Sequence, residues 1–175
     1  MKPLVLVYTG DGKGKTTAAL GCVFRALGSG GRCAVIQFIK CDAQSTGECR
    51  MAHQIGLLWE CYGKGFLWNQ ESLEPTREEA LKGFARAREL AASGQYDLMV
   101  LDEVTYALSL GLIDEREFLS WISEIHEMND GPCLIITGRG ASMALQTAAD
   151  TVTEMKEIKH HFKSGDIKAR KFIEF

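Results

Sequence analysis

The sequence predicts an α/β fold, in which one three-layer domain has a mainly parallel sheet with helices on both faces. Short apolar runs alternate with amphipathic stretches along the chain, and this alternation is typical of strand–helix–strand units. A glycine-rich turn links the first apolar run to the first helical stretch. A later run, Leu98–Leu101, is apolar throughout, as in a strand that is buried on both faces. Together these three features favour a parallel sheet.

Length and composition limit the class of protein. The 175 residues suit one domain, residues 1–175. A formal net charge of −3 gives no overall basic field, so we expect no nucleic-acid partner. The first apolar run is too short for a signal peptide or a membrane span, so we expect no membrane partner. Six cysteines without a CxxC spacing indicate a reduced, cytoplasmic protein with mostly buried thiols.

Six apolar runs are the predicted strands. They are Leu4–Tyr8, Cys33–Ile39, Leu57–Tyr62, Leu98–Leu101, Cys133–Thr137 and Val152–Ile158. Two stretches, residues 40–54 and 63–75, have no regular pattern. We expect both to be functional loops beyond the carboxyl ends of strands, because ligands bind there in such sheets.

Four helices are predicted between these strands. Two of them open with capping-box spacing, in which a glutamate follows a small polar residue by three positions. These pairs are Thr76 with Glu79 and Asp114 with Glu117. The helix that Thr76 opens is expected to end at Gly94. The other two helices are expected over residues 15–27 and 141–148.

The glycine-rich turn has the features of a phosphate-binding P-loop. Its glycines let consecutive backbone N–H groups point at a phosphate, and the following helix N-terminus adds a favourable dipole. Lys15 supplies a charge for phosphate oxygens, and the Thr16 hydroxyl is placed to ligate Mg²⁺. The strict pattern GxxxxGK(S/T) has a glycine where this chain has Thr9. The predicted phosphate-binding residues are Gly10, Asp11, Gly12, Lys13, Gly14, Lys15, Thr16 and Thr17.

A glycine-rich turn that only starts a helix is the alternative interpretation. Such a turn needs one or two glycines, whereas this one has three glycines and two lysines beside the helix N-terminus. Because lysines oppose the helix dipole at that end, we expect an anion to bind there. The predicted fold is therefore a P-loop fold of the RecA-like kind.

Two further segments complete a predicted nucleotide site. Asp102 and Glu103 follow a buried strand, which is the Walker B pattern, and such acids hold Mg²⁺ directly or through water. Strands also end in acids for structural reasons, so this interpretation depends on the P-loop. Arg139 lies between two glycines after another buried strand, and we expect it to reach phosphate oxygens. A surface arginine in a turn is the alternative.

Several segments share longer motifs with a known family. The phosphate loop reads GDGKGKTTAA, and later segments read VIQFIK, GFLW, LDEVTY, ITGRGA and ADTVTEM, in this order across nearly the whole chain. These segments resemble motifs of the ATP:corrinoid adenosyltransferases, which act on cobalamin or cob(I)yrinic acid a,c-diamide. Asp11 stands where this family usually has asparagine, and Cys41 replaces a glycine after Lys40. Some members have an N-terminal extension that resembles a lid, and we expect this chain to lack it.

The resemblance implies a transferase that uses ATP as co-substrate, a corrinoid as second substrate and Mg²⁺ as cofactor. In this family a cobalt(II) corrinoid is reduced to cobalt(I), which attacks C5′ of the ATP ribose, and the whole triphosphate leaves. Because cobalt is the nucleophile, the protein needs no Ser–His or Cys–His dyad. We expect Lys15 and the loop N–H groups to stabilise the departing triphosphate.

The resemblance also implies roles outside the phosphate loop. Phe66 and Trp68 match aromatic residues that wedge beneath the corrin and remove the lower axial ligand, although core packing alone also explains such residues. Arg25 matches a family arginine near the nucleotide, with a solvated helix face as its alternative. The predicted catalytic residues are Lys15, Phe66 and Trp68. The predicted metal ligands are Thr16, Asp102 and Glu103.

The family further implies a homodimer and an electron-donating, flavodoxin-like reductase as partner. Two other functions stay open from the residues alone. A P-loop ATPase or kinase acts on the γ-phosphate and yields phosphate or ADP, whereas the transferase yields triphosphate. A non-catalytic carrier or sensor binds corrinoid or nucleotide without turnover.

Overall fold

Six strands form one sheet in the computed structural model, which describes residues 2–39, 46–63, 73–165 and 167–173. The strands are β1 (Val5–Thr9), β2 (Cys33–Phe38), β3 (Leu58–Tyr62), β4 (Leu98–Asp102), β5 (Cys133–Thr137) and β6 (Thr151–Glu154). The helices are α1 (Lys15–Gly28), α2 (Gly47–Gln54), α3 (Glu74–Ala92), α4 (Val104–Ser109), α5 (Glu115–Glu127), α6 (Met143–Ala148) and α7 (His161–Gly165).

The strands lie in the order β3-β2-β4-β5-β1-β6, and every neighbouring pair is parallel. The prediction of a mainly parallel sheet is therefore confirmed. Because all strands point the same way, the segments that follow β1, β4 and β5 meet at one edge of the sheet. The predicted phosphate loop, Glu103 and Arg139 lie on these segments, and Asp102 is the last residue of β4.

Apolar side chains cover both faces of the sheet. On one face, α3, α4, α5 and α6 contribute to a core in which the rings of Phe84, Phe118 and Trp121 lie 5.4 to 5.7 Å apart. On the other face, α1 packs onto the sheet through Ala19 and Val23, and α2 packs onto it through Cys49 and Ala52. The two cores confirm the three-layer prediction, and burial of this apolar surface is the main force that holds the layers together.

Helix α3 begins before its predicted start. Leu73 is its N-cap and Pro75 lies in the first turn, where the fixed φ of proline fits a helix start. Thr76 therefore lies inside the helix and is only 1% exposed. The predicted capping box of Thr76 and Glu79 is wrong, because proline sets the start of this helix instead.

The other predicted helix signals are confirmed. The Asp114 carboxylate accepts from the backbone N–H of Glu117 at 2.9 Å and caps α5. Gly94 follows the end of α3 with φ of 65°, a conformation that favours glycine. Both residues act locally through backbone geometry, which is why sequence spacing alone identifies them.

Three helices were not predicted, and one strand ends four residues earlier than predicted. Helix α2 lies in a stretch without a regular pattern, and α4 and α7 are further short helices that were not predicted. Such short helices contain too few turns to show an apolar period. Strand β6 ends at Glu154, not at Ile158, because the backbone at Met155 turns toward the loop after β1.

The ends of β2 and β3 pack tightly against each other. The N–H of Ile39 donates to the carbonyl of Tyr62 at 3.0 Å. Ile39 has φ of 69°, which is a rare conformation for a β-branched residue. A Cβ on Gly63 would collide with the backbone of Ile39, so this position requires glycine. Residues of the two predicted loops that follow, among them Cys41, Phe66 and Trp68, lie outside the described residues.

Five of the six cysteines belong to the described residues, and two of these, Cys33 and Cys49, are buried. Burial raises the pKa of Cys33 to about 11, so this thiol stays protonated at neutral pH. The other three are half-buried, which is fewer buried thiols than the sequence predicts. No helix in the described part of the chain has the length and apolarity that a membrane crossing needs.

Candidate functional site

The turn between β1 and α1 surrounds a buried lysine. Gly10 and Gly14 have φ of 96° and 110°, a region that L side chains rarely adopt, so both positions require glycine. Lys15, the first residue of α1, is only 7% exposed. Its Nζ donates to the carbonyl oxygens of Gly10 at 2.7 Å and Gly12 at 2.8 Å. The ammonium therefore lies at the centre of the predicted phosphate site.

The charge of Lys15 depends on several neighbours. Burial lowers the pKa of Lys15, and the nearby Arg139 lowers it further. The carboxylates of Glu103, Asp11 and Asp102 oppose this and raise the pKa. Because an opposite charge favours the ionised form, a phosphate bound in the loop would stabilise the charged lysine.

The backbone after β6 holds one side of the loop. The N–H of Gly12 donates to the carbonyl of Met155 at 2.7 Å, and the N–H of Met155 donates to the carbonyl of Thr9 at 2.8 Å. A Cβ on Gly12 would lie 2.7 Å from that Met155 oxygen, so the close packing leaves no room for a side chain. The N–H of Gly12 is thus paired within the protein, so it departs from the expectation that consecutive backbone N–H groups of the loop point at a phosphate.

A buried carboxylate holds the other side, at the first turn of α1. Asp102 is 0% exposed, and its Oδ1 accepts from the hydroxyls of Thr16 at 2.8 Å and Thr137 at 2.7 Å. Its Oδ2 accepts from Nε2 of Gln37 at 2.8 Å. These donors offset the cost of burying the carboxylate. Because the Thr16 hydroxyl donates its hydrogen bond to Asp102, the lone pairs of the Thr16 oxygen remain available to a cation.

Glu103 follows in a strained turn. Its φ of 59° is left-handed, which costs a non-glycine residue on the order of 1 kcal/mol. Its N–H donates to Oγ1 of Thr137 at 3.0 Å, and this bond offsets part of the strain. The turn places the Glu103 carboxylate close enough to raise the pKa of Lys15.

Arg139 lies in a rigid turn after β5. Gly138 has φ of 137°, and a Cβ there would collide with the side chain of Thr105. Oγ1 of Thr105 donates to the Arg139 carbonyl at 2.7 Å. Helix α4 thus fixes the backbone of the turn, while the Arg139 side chain is exposed and its charge acts on Lys15.

The structure brings most of the predicted site residues together. Around the loop lie Gly10, Gly12, Gly14, Lys15, Thr16, Asp102, Glu103 and Arg139. Asp11, Lys13 and Thr17 are exposed at its rim. Arg25 lies in the last turn of α1, about 15 Å along the helix from Lys15, so a nucleotide contact by Arg25 stays a prediction.

Three residues of the site were not assigned from the sequence. Gln37 interrupts the apolar run of β2 and is 3% exposed, and a polar residue in a buried strand is the signal that identifies it. Thr137 ends the apolar run of β5, where a hydroxyl can face the loops. Met155 ends the ADTVTEM motif, but its side-chain type does not indicate a contact that its backbone makes.

Within the described ranges, no group of three or more His, Cys, Asp and Glu residues is arranged to hold a metal ion. His160 and His161 stack on each other with ring centres 4.7 Å apart. A cation site in this part of the molecule would therefore combine hydroxyl and carboxylate oxygens, as Thr16 and Asp102 do.

Comparison with solved structures identifies a similar fold. A KaiC-like protein from the hyperthermophilic archaeon Pyrococcus horikoshii OT3 matches with a TM-score of 0.58 and 18% sequence identity. The match covers 88% of this chain and 72% of the other. At this identity the likeness shows the fold alone, and it confirms the predicted P-loop fold class.

Sequence comparison adds the family. A corrinoid adenosyltransferase of Sinorhizobium sp is 39% identical over 177 residues, which cover 99% of this chain and 81% of the relative. The corrinoid adenosyltransferase of Escherichia coli K12 is 33% identical over 172 residues, which cover 98% of this chain and 85% of the relative. All of residues 1–175 match the family described as ATP:corrinoid adenosyltransferase BtuR/CobO/CobP. The chain belongs to the ATP:corrinoid adenosyltransferase family.

Membership of the adenosyltransferase family confirms the resemblance that the motifs indicated, and with it the prediction of an enzyme that uses ATP and a corrinoid. A further relative from Pseudomonas aeruginosa, also named corrinoid adenosyltransferase, is 39% identical over 98% of this chain and 83% of its own length.

Proposed function

We propose that this chain transfers the 5′-deoxyadenosyl group of ATP to cobalt(I) of a corrinoid and releases triphosphate. The observation that carries the proposal is the buried Lys15 at the centre of a glycine-rich loop, in a chain of the ATP:corrinoid adenosyltransferase family. Lys15 is held inside the loop by carbonyl oxygens, and phosphate oxygens are stronger acceptors for its ammonium.

The reaction needs no nucleophile from the protein, but it needs positive charge beside the leaving triphosphate. Cobalt(I) attacks C5′, the C5′–O bond breaks, and the triphosphate leaves with the bonding electron pair. The departing oxygen gains negative charge in the transition state. Cations beside the triphosphate therefore stabilise the transition state more than they stabilise bound ATP. Lys15 supplies such a charge within the loop, and Arg139 supplies a second one from its rim.

We propose that Thr16, Asp102 and Glu103 hold Mg²⁺ with the nucleotide. Mg²⁺ prefers oxygen ligands, and the bonded pair of Thr16 and Asp102 offers hydroxyl lone pairs beside a buried carboxylate. Glu103 adds a second carboxylate from the adjoining turn. When bound, Mg²⁺ supplies positive charge that neutralises the triphosphate.

The corrinoid side of the proposal rests on the resemblance to the family. We propose that Phe66 and Trp68 exclude the lower axial ligand of cobalt, because bulky apolar groups have no lone pair to donate to it. We also propose that the chain is a single-domain, cytoplasmic homodimer that receives electrons from a flavodoxin-like reductase. Arg25 is proposed to contact the nucleotide.

Product analysis tests this function. Purified protein is incubated without oxygen with ATP, Mg²⁺ and chemically reduced cob(I)alamin, while the corrinoid spectrum is recorded and the phosphate product is identified. We expect adenosylcobalamin and triphosphate in equal amounts, and little of either with Lys15→Met, which keeps the length of the side chain without its charge. Phosphate release with an unchanged corrinoid spectrum would instead indicate a γ-phosphate hydrolase.

A further inference from the structure

Three polar side chains lie in a row across neighbouring strands beside the loop. In the register of the sheet, Gln37 of β2 is the partner of Cys61 in β3 and of Asp102 in β4. Residues at the same level of adjacent parallel strands point to the same face of the sheet. This row lies on the face that α1 covers, and α1 carries Thr16 on its first turn.

Hydrogen bonds connect the row in one direction. The Cys61 thiol donates to Oε1 of Gln37 at 3.5 Å, and Nε2 of Gln37 donates to Oδ2 of Asp102 at 2.8 Å. A carboxylate only accepts, so the NH₂ end of the amide must face Asp102. The thiol donor holds the carbonyl end on the opposite side. The amide of Gln37 is thus fixed in one orientation, inside a site where Gln37 is 3% and Asp102 0% exposed.

The bond from Gln37 leaves the two oxygens of Asp102 with different tasks. Oδ2 accepts the hydrogen bond of the amide, while Oδ1 accepts those of the Thr16 and Thr137 hydroxyls. If the amide were removed, the buried Oδ2 of Asp102 would lose its donor. The carboxylate could then rotate, so that either of its oxygens faces Thr16 and Thr137. The Thr16 oxygen would then no longer be held with its lone pairs directed at a cation.

We propose that Gln37 is a positioning residue for Mg²⁺-dependent nucleotide binding, which acts by orienting Asp102 and is itself oriented by Cys61. This role rests on the magnesium site proposed for Thr16 and Asp102. Lys15 donates to the carbonyl oxygens of Gly10 and Gly12, and Gln37 lies behind Asp102, so we expect metal-free ATP to be bound independently of Gln37. The role therefore predicts a selective change in the metal-dependent part of ATP affinity.

Calorimetric titration of the full chain with ATP, once with Mg²⁺ and once with EDTA, measures this selectivity as a ratio of affinities. Gln37→Met keeps the size of the side chain but removes both the donor and the acceptor. We expect it to lower the ratio about tenfold, as for other groups that orient a metal ligand. Val35→Ala is the matched control, because Val35 lies two residues earlier on the same strand and face and is equally buried. We expect this control to lower stability and leave the ratio unchanged.

The Cys61 position provides a second test that does not alter Gln37. Cys61→Ser keeps a hydroxyl donor for Oε1, whereas Cys61→Val removes it at similar volume. We expect the ratio of Cys61→Ser to match the wild type and that of Cys61→Val to fall about threefold, because the amide loses the donor that fixes it. This pair also keeps the proposal testable if Gln37→Met does not fold.

Three results would overturn the role of Gln37. The first is a folded Gln37→Met with the ratio of the wild type, and the second is equal ratios for the two Cys61 variants. The third is a wild type that binds ATP equally with Mg²⁺ and EDTA, which removes the metal site on which the role rests. In that case continued formation of adenosylcobalamin would show that the proposed transferase function stands without it.

Discussion

The two sides of the phosphate loop are held by different kinds of contact. On the side of β4, the side chains of Thr16 and Asp102 bond to each other, and Thr137 supports the carboxylate. On the side of β6, backbone groups of Gly12 and Met155 bond instead. Side-chain contacts require particular functional groups, whereas the backbone contact at Gly12 requires only that no side chain fills the space beside Met155. The first side is therefore sensitive to chemistry, and the second is sensitive to shape.

The difference also separates two tasks. The β4 side holds a buried carboxylate next to a hydroxyl, so changes there alter the charge and the cation-binding capacity of the site. The β6 side holds neutral amide groups in contact with the loop, so changes there move the loop without altering its charge. Substitutions on the two sides should consequently change different kinetic parameters.

Asp102→Asn should have the largest effect. It keeps the shape of the side chain, but it places an NH₂ group against the hydroxyl or amide donors that now bond the carboxylate. It also removes the negative charge that is proposed to bind Mg²⁺. We expect kcat/KM with MgATP to fall on the order of 100-fold. The measurement is the rate of adenosylcorrinoid formation, with thermal unfolding to verify folding. Asp114→Asn, at the cap of α5, is the control, and an equal loss in both variants would refute a special role for Asp102.

Gly12→Ala tests the β6 side. The added Cβ would meet the backbone of Met155 and Lys156, so we expect the loop to shift and the KM for ATP to rise about tenfold. Gly21→Ala is the matched control, because Gly21 lies in α1 with nothing within 4 Å of an added Cβ. There we expect stability to rise by about 0.5–1 kcal/mol with unchanged KM. Steady-state kinetics and urea unfolding measure both, and an unchanged KM for Gly12→Ala would contradict the packing argument.

Thr137→Val should have a smaller effect on the β4 side. It removes the hydroxyl that donates to Asp102 and accepts from the N–H of Glu103. We expect a loss of about 1–3 kcal/mol in the free energy of unfolding, because buried polar groups lose a partner. Thr137→Ser keeps the hydroxyl and should recover most of the loss. Urea unfolding of both variants decides, and equal stabilities would mean that the hydroxyl contributes nothing.

Asp150→Asn should have the smallest effect and concerns the attachment of β6. A hydrogen bond from the backbone N–H of Val5 lowers the pKa of Asp150, and His126 lowers it further. Because the pKa is lower in the folded than in the unfolded state, this carboxylate stabilises the fold above the usual carboxyl range and loses that contribution in acid. We expect the wild type to lose stability more steeply than Asp150→Asn below about pH 4. Parallel curves of unfolding free energy against pH would contradict this.

Part of the β4 side could be predicted from the sequence, because its contacts use side chains. Lys15, Thr16 and Asp102 carry functional groups whose types and spacing indicate nucleotide chemistry, and the structure brings them together. The β6 side could not be predicted in the same way. The bond between Gly12 and Met155 depends on where β6 ends, and the apolar pattern predicted a longer strand.

Local signals had the same limits. Asp114 caps a helix because its carboxylate bonds a backbone N–H three residues later, and this depends on the local sequence alone. Thr76 has the same spacing but lies behind Pro75, which fixes the helix start earlier. The sequence shows both the apolar run of β2 and the polar Gln37 within it. It does not show that β2 and β4 are neighbours, and the contact between Gln37 and Asp102 could not be predicted without that strand order.

The most direct test of the proposed function uses an ATP analogue with a methylene group between the β- and γ-phosphorus atoms. The methylene group replaces the bridging oxygen. A hydrolase or kinase breaks the bond between that oxygen and the γ-phosphorus atom, whereas adenosyl transfer breaks only the bond between C5′ and its oxygen. With cob(I)alamin and Mg²⁺, we predict that the analogue yields adenosylcobalamin and the intact methylene triphosphate. Failure of the analogue to react, together with release of ADP and phosphate from ATP, would contradict a transferase that uses Lys15 to stabilise a departing triphosphate.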